Sequence, residues 1–135
     1  MRIRNSQLAR RAAAVGTAVA LAGGVGLATA TPAAAAPKDG VCNAGQELCL
    51  YWANNWQGPV FDLWLSEGDF REEVFPGTFT TADNNTQSVW NRDTTTWYVY
   101  TGYYRGGVRG SISPGQSGNF TAMFSDAVSS AYWYL

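Results

Sequence analysis

Two stretches of this 135-residue chain repeat each other, and that repeat limits the fold more than any other feature. Tyr51 to Gly58 (YWANNWQG) lines up with Val99 to Gly106 (VYTGYYRG), an offset of 48. In both, an aromatic strand runs into a short turn, then aromatic-x-Gly, then a second strand. Further on, Asp83 to Ser88 (DNNTQS) lines up with Ser125 to Ser130 (SDAVSS), an offset of 42, and a large ring follows each (Trp90, Tyr132). The six-residue difference falls in the third-strand region, where the first half carries an extra loop. A half of about four strands leaves an apolar face exposed, so the two halves are expected to pack face to face. The glycine of each aromatic-x-Gly is expected to take a positive φ, where a Cβ is costly.

The remaining pattern agrees with an all-β domain. Leu48–Trp52, Val60–Leu65, Thr86–Asn91, Thr95–Thr101, Val108–Ile112 and Ser129–Tyr134 are β-branched, aromatic or alternating runs. Gly, Pro, Asn and Asp punctuate them at sandwich-like spacing. No segment keeps a helical period beyond a turn or two.

The first 36 residues read as an export signal: Arg2, Arg4, Arg10 and Arg11, then an apolar run from Ala12 to Ala28, then small residues ending near Ala36. Cleavage is expected between about residues 30 and 36, at Ala28-Thr29-Ala30 or Ala33-Ala34-Ala35. The rival reading is a membrane anchor, for which a run of Ala and Gly this short is poorly suited. The domain then spans 37–135, with halves at about 42–92 and 93–135. It holds five basic residues against ten acidic ones, a net −5, and all 19 aromatic residues. Such a charge excludes nucleic-acid binding by counterion release and disfavours anionic membranes after the signal is removed. A secreted monomer is expected.

Cys42 and Cys49 are the only cysteines. In an exported chain they are expected to form a disulfide; a zinc site lacks a second cysteine pair and any histidine. The absence of histidine also removes Ser-His and Cys-His nucleophile systems, so no catalytic residue is assigned. A carboxylate pair from Glu67, Asp69, Glu72 and Glu73 is conceivable for glycoside hydrolysis, against the blander reading of a solvated acidic turn.

The motif Tyr-x4-aromatic-x-Gly, with a Ser about thirty residues later before a closing strand, resembles the βγ-crystallin Greek key. The order signal, Cys-x6-Cys, Leu50-Tyr51-Trp52 and two such keys is similar to the secreted actinobacterial peptidase inhibitors of the streptomycete metalloproteinase-inhibitor type. The resemblance covers about Cys42 to Leu135. It implies a crystallin-like sandwich of about eight strands and non-catalytic inhibition of thermolysin-like zinc peptidases, with an extracellular peptidase as partner. Those inhibitors close a peptidase-facing loop with a second disulfide in the later half, and no cysteine follows Cys49 here. Val99 also stands where the second key should begin with an aromatic residue.

The same resemblance implies candidate calcium ligands, Asp83, Asn84 and Ser88 from one loop and Asp126, Ser129 and Ser130 from the other. Gln87 and Ser125 each depart from the ligand pattern, so any calcium binding is expected to be weak. The alternative is that Ser88 and Ser130 bond the folded hairpin of their own key. Trp56, Tyr103 and Tyr104 at the turns are either sugar- or protein-contact rings or, for Trp56 and Tyr104, rings folded over their own hairpins. An extracellular module for polysaccharide or calcium, and a crystallin-like toxin, are therefore alternatives to inhibition. Within Ser66–Asp83, Val74 and Phe75 are candidate peptidase anchors beside rigid Pro76. The competing reading places Phe75 and Phe79 in the core, so no inhibitory residue is assigned.

Overall fold

Alternation along each strand fixes which side chains turn inward. In β1 (Leu48–Tyr51) Leu48 and Leu50 are buried, in β2 (Val60–Leu63) Phe61 and Leu63, and in β3 (Ser88–Asn91) Val89. In β4 (Trp97–Tyr100) Trp97 and Val99 are buried, in β5 (Arg109–Ile112) Ile112, and in β7 (Ser130–Tyr132) Ala131. Together with Phe70, Phe75, Ala82, Val128 and Trp133 they form one apolar core. Phe61 meets Phe70 edge-on at 5.1 Å, a favoured ring geometry. This is a computed structural model that describes residues 38–135; the leader and its cleavage sites lie outside the described residues. Among the described residues no helix is long and apolar enough to cross a membrane.

The strands make two antiparallel sheets, β2-β1-β3-β6 and β5-β4-β7. Strand β6 (Ser117–Asn119) follows β5 in the chain yet pairs with β3, Gly118 lying opposite Val89. The first half reciprocates, because Glu67 exchanges both backbone hydrogen bonds with Ala131 of β7, at 2.8 and 2.9 Å. Each half thus lends its third strand to the other sheet. Expected at about eight, the strands number seven among the described residues, since this loan from the first half is one bridged residue long. Asp69 ends it two residues later by accepting the Arg71 N–H at 3.0 Å and starting the 3₁₀ turn Phe70–Glu72. Strand β6 escaped the sequence reading because Ser-Gly-Asn carries no apolar side chain; it is held by backbone pairing and by Asn119, which accepts the Asn55 N–H at 2.7 Å.

The repeat is in register at an offset of 49 rather than 48. Tyr51 opposes Val60 as Tyr100 opposes Arg109. In the two repeated turns the positive-φ glycines are Gly58 (76°) and Gly107 (72°), so Gly106 does not have the expected conformation. Tyr51 therefore corresponds to Tyr100, and the apparent Val99 irregularity disappears. Trp56 corresponds to Arg105, not to Tyr104. Both turns, Asn54–Trp56 and Tyr103–Arg105, fold back onto the outer side of their sheet. Ser88 Oγ donates to the Ala53 carbonyl (2.6 Å) and accepts the Trp56 N–H (3.0 Å). Ser130 Oγ likewise donates to the Gly102 carbonyl (2.7 Å) and accepts the Arg105 N–H (3.4 Å).

The segment before β1 is a strap fastened across the outer side of β1 and β2. Cys42 and Cys49 are joined as a disulfide. Asp62 accepts the Asp39 and Gly40 N–H groups at 3.1 and 2.8 Å, and Arg92 donates to the Cys42 carbonyl at 2.8 Å. Lys38 Nζ reaches over to Glu67 (3.1 Å) and Glu73 (2.7 Å), tying the strap to the extra loop of the first half.

Candidate functional site

The loops Asp83–Ser88 and Ser125–Ser130 lie against each other and exchange backbone bonds. Asn84 N–H donates to Val128 (3.1 Å) and Asp126 N–H to Thr86 (2.9 Å). Asn84 and Asp126 share a φ of 54°, and each side chain bonds the opposite loop. Ser129 Oγ donates to Asn84 Oδ1 at 3.2 Å. At the equivalent place Gln87 Nε2 donates to Asp126 Oδ2 at 3.0 Å. Each candidate cation site is thus built from both halves of the chain.

The two sites differ in chemistry. Near Asn84, Asp83 Oδ2 accepts the Tyr103 hydroxyl (2.9 Å), a bond that pushes the phenol pKa up. Asp83 Oδ1 and Thr86 Oγ1 are buried without a partner among the described residues. These oxygens, with Asn84 Oδ1 and the Ser129 hydroxyl, suit a hard cation. Near Asp126, an amide N–H₂ occupies the carboxylate, and a donor there does not fit a cation. Ser88 and Ser130 spend their hydroxyls on the folded hairpins, as described above. Among the described residues no three His, Cys, Asp or Glu side chains group to hold a metal.

The rings at the turns are engaged. Trp56 donates its indole N–H to the Val89 carbonyl (3.2 Å), lying over its own sheet with about half its surface exposed. Arg71 stacks on Tyr103 at 4.2 Å. Tyr104 instead leans onto the other half: its N–H donates to the Gly68 carbonyl (2.8 Å), and a Cβ at Gly68 would fall 2.8 Å from its ring. Arg105, standing where the first half has Trp56, lies 4.1 Å from the Tyr132 ring and 4.6 Å from Tyr134.

Of the acids between Ser66 and Asp83, Glu67, Asp69 and Glu73 are tied into the fold, while Glu72 is exposed. Glu67 and Glu73 share Lys38, and the Asp69 carboxylate pairs with Arg71 at 2.7 Å, which holds its pKa down at about 2. A glycosidase acid needs its pKa raised, so Asp69 has the wrong electrostatics for that role. Residues 73–82 form a tight hairpin. Ala82 N–H donates to Glu73 (2.7 Å), Phe75 N–H to Thr80 (2.9 Å) and Thr78 N–H to Phe75 (3.0 Å). Pro76 presets the first turn position, and Gly77 at φ 78° takes the second, which a side chain would strain. Phe75 is fully buried in the core, so it is no peptidase anchor. Val74 is about half exposed, and Phe79, which one reading placed in the core, is 104% exposed at the tip. Sequence alternation could not separate Phe75 from Phe79, because the turn between them reverses the chain.

A model of peptidase inhibitor family I36 matches residues 33–111, more than half of the chain. No curated protein sequence matches. Among the solved structures that share the fold are these three. One, described as addressing the evolution of the eye lens βγ-crystallin domain fold, has a TM-score of 0.57 at 20% identity, covering 67% of this chain and 86% of that one. A βγ-crystallin from Ciona intestinalis gives 0.54 at 18% identity, covering 65% and 99%. The N-terminal domain of Protein S gives 0.52 at 15% identity, covering 64% and 92%.

Proposed function

Because the chain belongs to peptidase inhibitor family I36, we propose that it is exported and blocks an extracellular zinc peptidase of the thermolysin type by surface contact. The family match is the observation that carries this reading, and it makes the protein non-enzymatic. Removal of residues 1–36 as a signal precedes action. The disulfide and the family are both consistent with life outside the cell. The choice of a zinc peptidase rests on the resemblance of the Cys-x6-Cys and double-key pattern to streptomycete metalloproteinase inhibitors.

Inhibition by contact asks for a surface already in its bound shape, so that little freedom is lost on docking. A two-sheet core with exchanged strands, a strap and a disulfide supports such a surface. Titrating the purified protein against a panel of zinc and serine peptidases tests the proposal. Stoichiometric inhibition of a zinc peptidase is expected. Inhibition confined to serine peptidases would keep the inhibitor and discard its metal specificity; no inhibition at all would discard both.

A calcium-binding reading is favoured by one observation, the buried and unpartnered Asp83 Oδ1 and Thr86 Oγ1. Asp83, Asn84, Thr86 and Ser129 would hold the ion, which would cross-link the two halves. With Gln87 on Asp126, one weak site is expected, in the range of about 10⁻⁴–10⁻³ M. Micromolar calcium should leave Tm unchanged, and millimolar calcium should raise it by a few degrees at most. A stabilisation of about 2.7 kcal/mol at micromolar calcium would mean a tight site and sink the weak-site reading. The saccharide and toxin readings have no comparable observation behind them.

A further inference from the structure

We infer that Phe79 is the side chain this inhibitor inserts into its peptidase, in an apolar pocket beside the enzyme's scissile-bond position. The inference rests on the inhibitor reading above and assigns its contact point.

Three observations converge on the tip of the 73–82 hairpin. Phe79 is 104% exposed, so folding recovers nothing from its ring, whereas Phe70 and Phe75 in the same stretch are fully buried. The hairpin that carries it is held on every side. Beyond its backbone ladder, Thr78 Oγ1 donates to the Phe75 carbonyl (2.8 Å) and accepts the Thr80 N–H (3.1 Å). Its base is tied to the strap through Glu73 and Lys38 (2.7 Å), and Phe75 plugs it into the core.

The third observation concerns the backbone. Among the described residues, Phe79 N–H and C=O make no hydrogen bond, although the residues on both sides do. A peptidase cleft recognises substrate by pairing with an extended backbone and filling side-chain pockets. Phe79 offers both parts, an unpaired N–H and C=O and an aromatic anchor, already fixed in place. Buried aromatic anchors surrounded by weaker contacts dominate protein interfaces. Val74, half exposed on the facing strand, would add to the rim. The hairpin also lies within the matched family span.

The partner is thereby specified by chemistry: a peptidase whose pocket next to the cut bond takes a large apolar side chain. The experiment is inhibition of a responsive peptidase by the parent, Phe79→Ala, Phe79→Leu and Met123→Ala. Met123 is another exposed apolar residue, outside the family span. Phe79→Ala should weaken inhibition at least about 30-fold, as expected of an anchor residue. Tm should not change, Phe79→Leu should retain most of the inhibition, and Met123→Ala should match the parent. A parent that inhibits alongside an equally potent Phe79→Ala overturns the assignment while leaving the inhibitor reading intact. A parent that inhibits nothing overturns both. If Phe79→Ala instead changes the sedimentation mass and not the inhibition, the ring pairs two copies of this chain, and the assignment also falls.

Discussion

Glu47 shows how a single side chain can be decisive and yet unreadable in sequence. It precedes β1 and is fully buried beneath the strap, where its carboxylate accepts the Asn43 N–H at 2.6 Å. Burial, with Asp62 and Asp39 adding like charge, pushes its pKa up from 4.5 to about 7. The buried Asp62 is shifted upward for the same first reason. The folded state therefore holds a proton that the unfolded chain releases near 4.5. Stability from this group is full below that pH and is lost as pH rises through about 7, by up to about 3 kcal/mol. Glu47→Gln keeps an acceptor for Asn43 without the charge. It should raise the urea midpoint at pH 8 and have little effect at pH 4; an equal or lower midpoint at pH 8 would refute the argument. Nothing in the pattern around residue 47 signals burial, because the strap that covers it comes from an irregular segment. Phe79 was illegible for the opposite reason, since an aromatic residue in an apolar stretch reads as core until the turn beside it is seen.

The folded hairpin is the element that the sequence disclosed best. Its glycine, its aromatic start and its later serine were all visible, although the halves register one residue differently from a plain alignment. A plain alignment pairs aromatic with aromatic, Trp56 with Tyr104, whereas the backbone matches Trp56 to Arg105. An arginine can take a ring's place there because Tyr132 and Tyr134 receive its guanidinium on their faces. The two serine clasps should not be equal. Ser88 makes bonds of 2.6 and 3.0 Å, while the second bond of Ser130 is 3.4 Å. Ser88→Ala, which strands a partly buried carbonyl and N–H, should cost about 1–3 kcal/mol, and Ser130→Ala measurably less. Denaturant midpoints of the two variants decide it, and a larger loss at Ser130 would contradict the reading. Of the candidate cation loops, the sequence located the residues but not their crossed pairing. That Gln87 would hand an amide to Asp126 of the other half depends on contacts some forty residues apart.

At the scale of the whole molecule, two repeated halves closing one core were legible from the aromatic pattern and its duplication. The exchange of third strands was not, since Glu67 and Gly118 are held there by main-chain hydrogen bonds that any residue could make. That exchange has a consequence for the order in which the chain can be completed. Strand β3 has no partner on one edge until β6, about thirty residues later, has been synthesised. Glu67 must wait for Ala131, about sixty residues later. The first half therefore leaves the ribosome with open strand edges and an uncovered apolar face. Long-range pairing of this kind forms late. The first sheet is complete once β6 has paired with β3, whereas the second waits for β7 to pair with β4 and to take up Glu67.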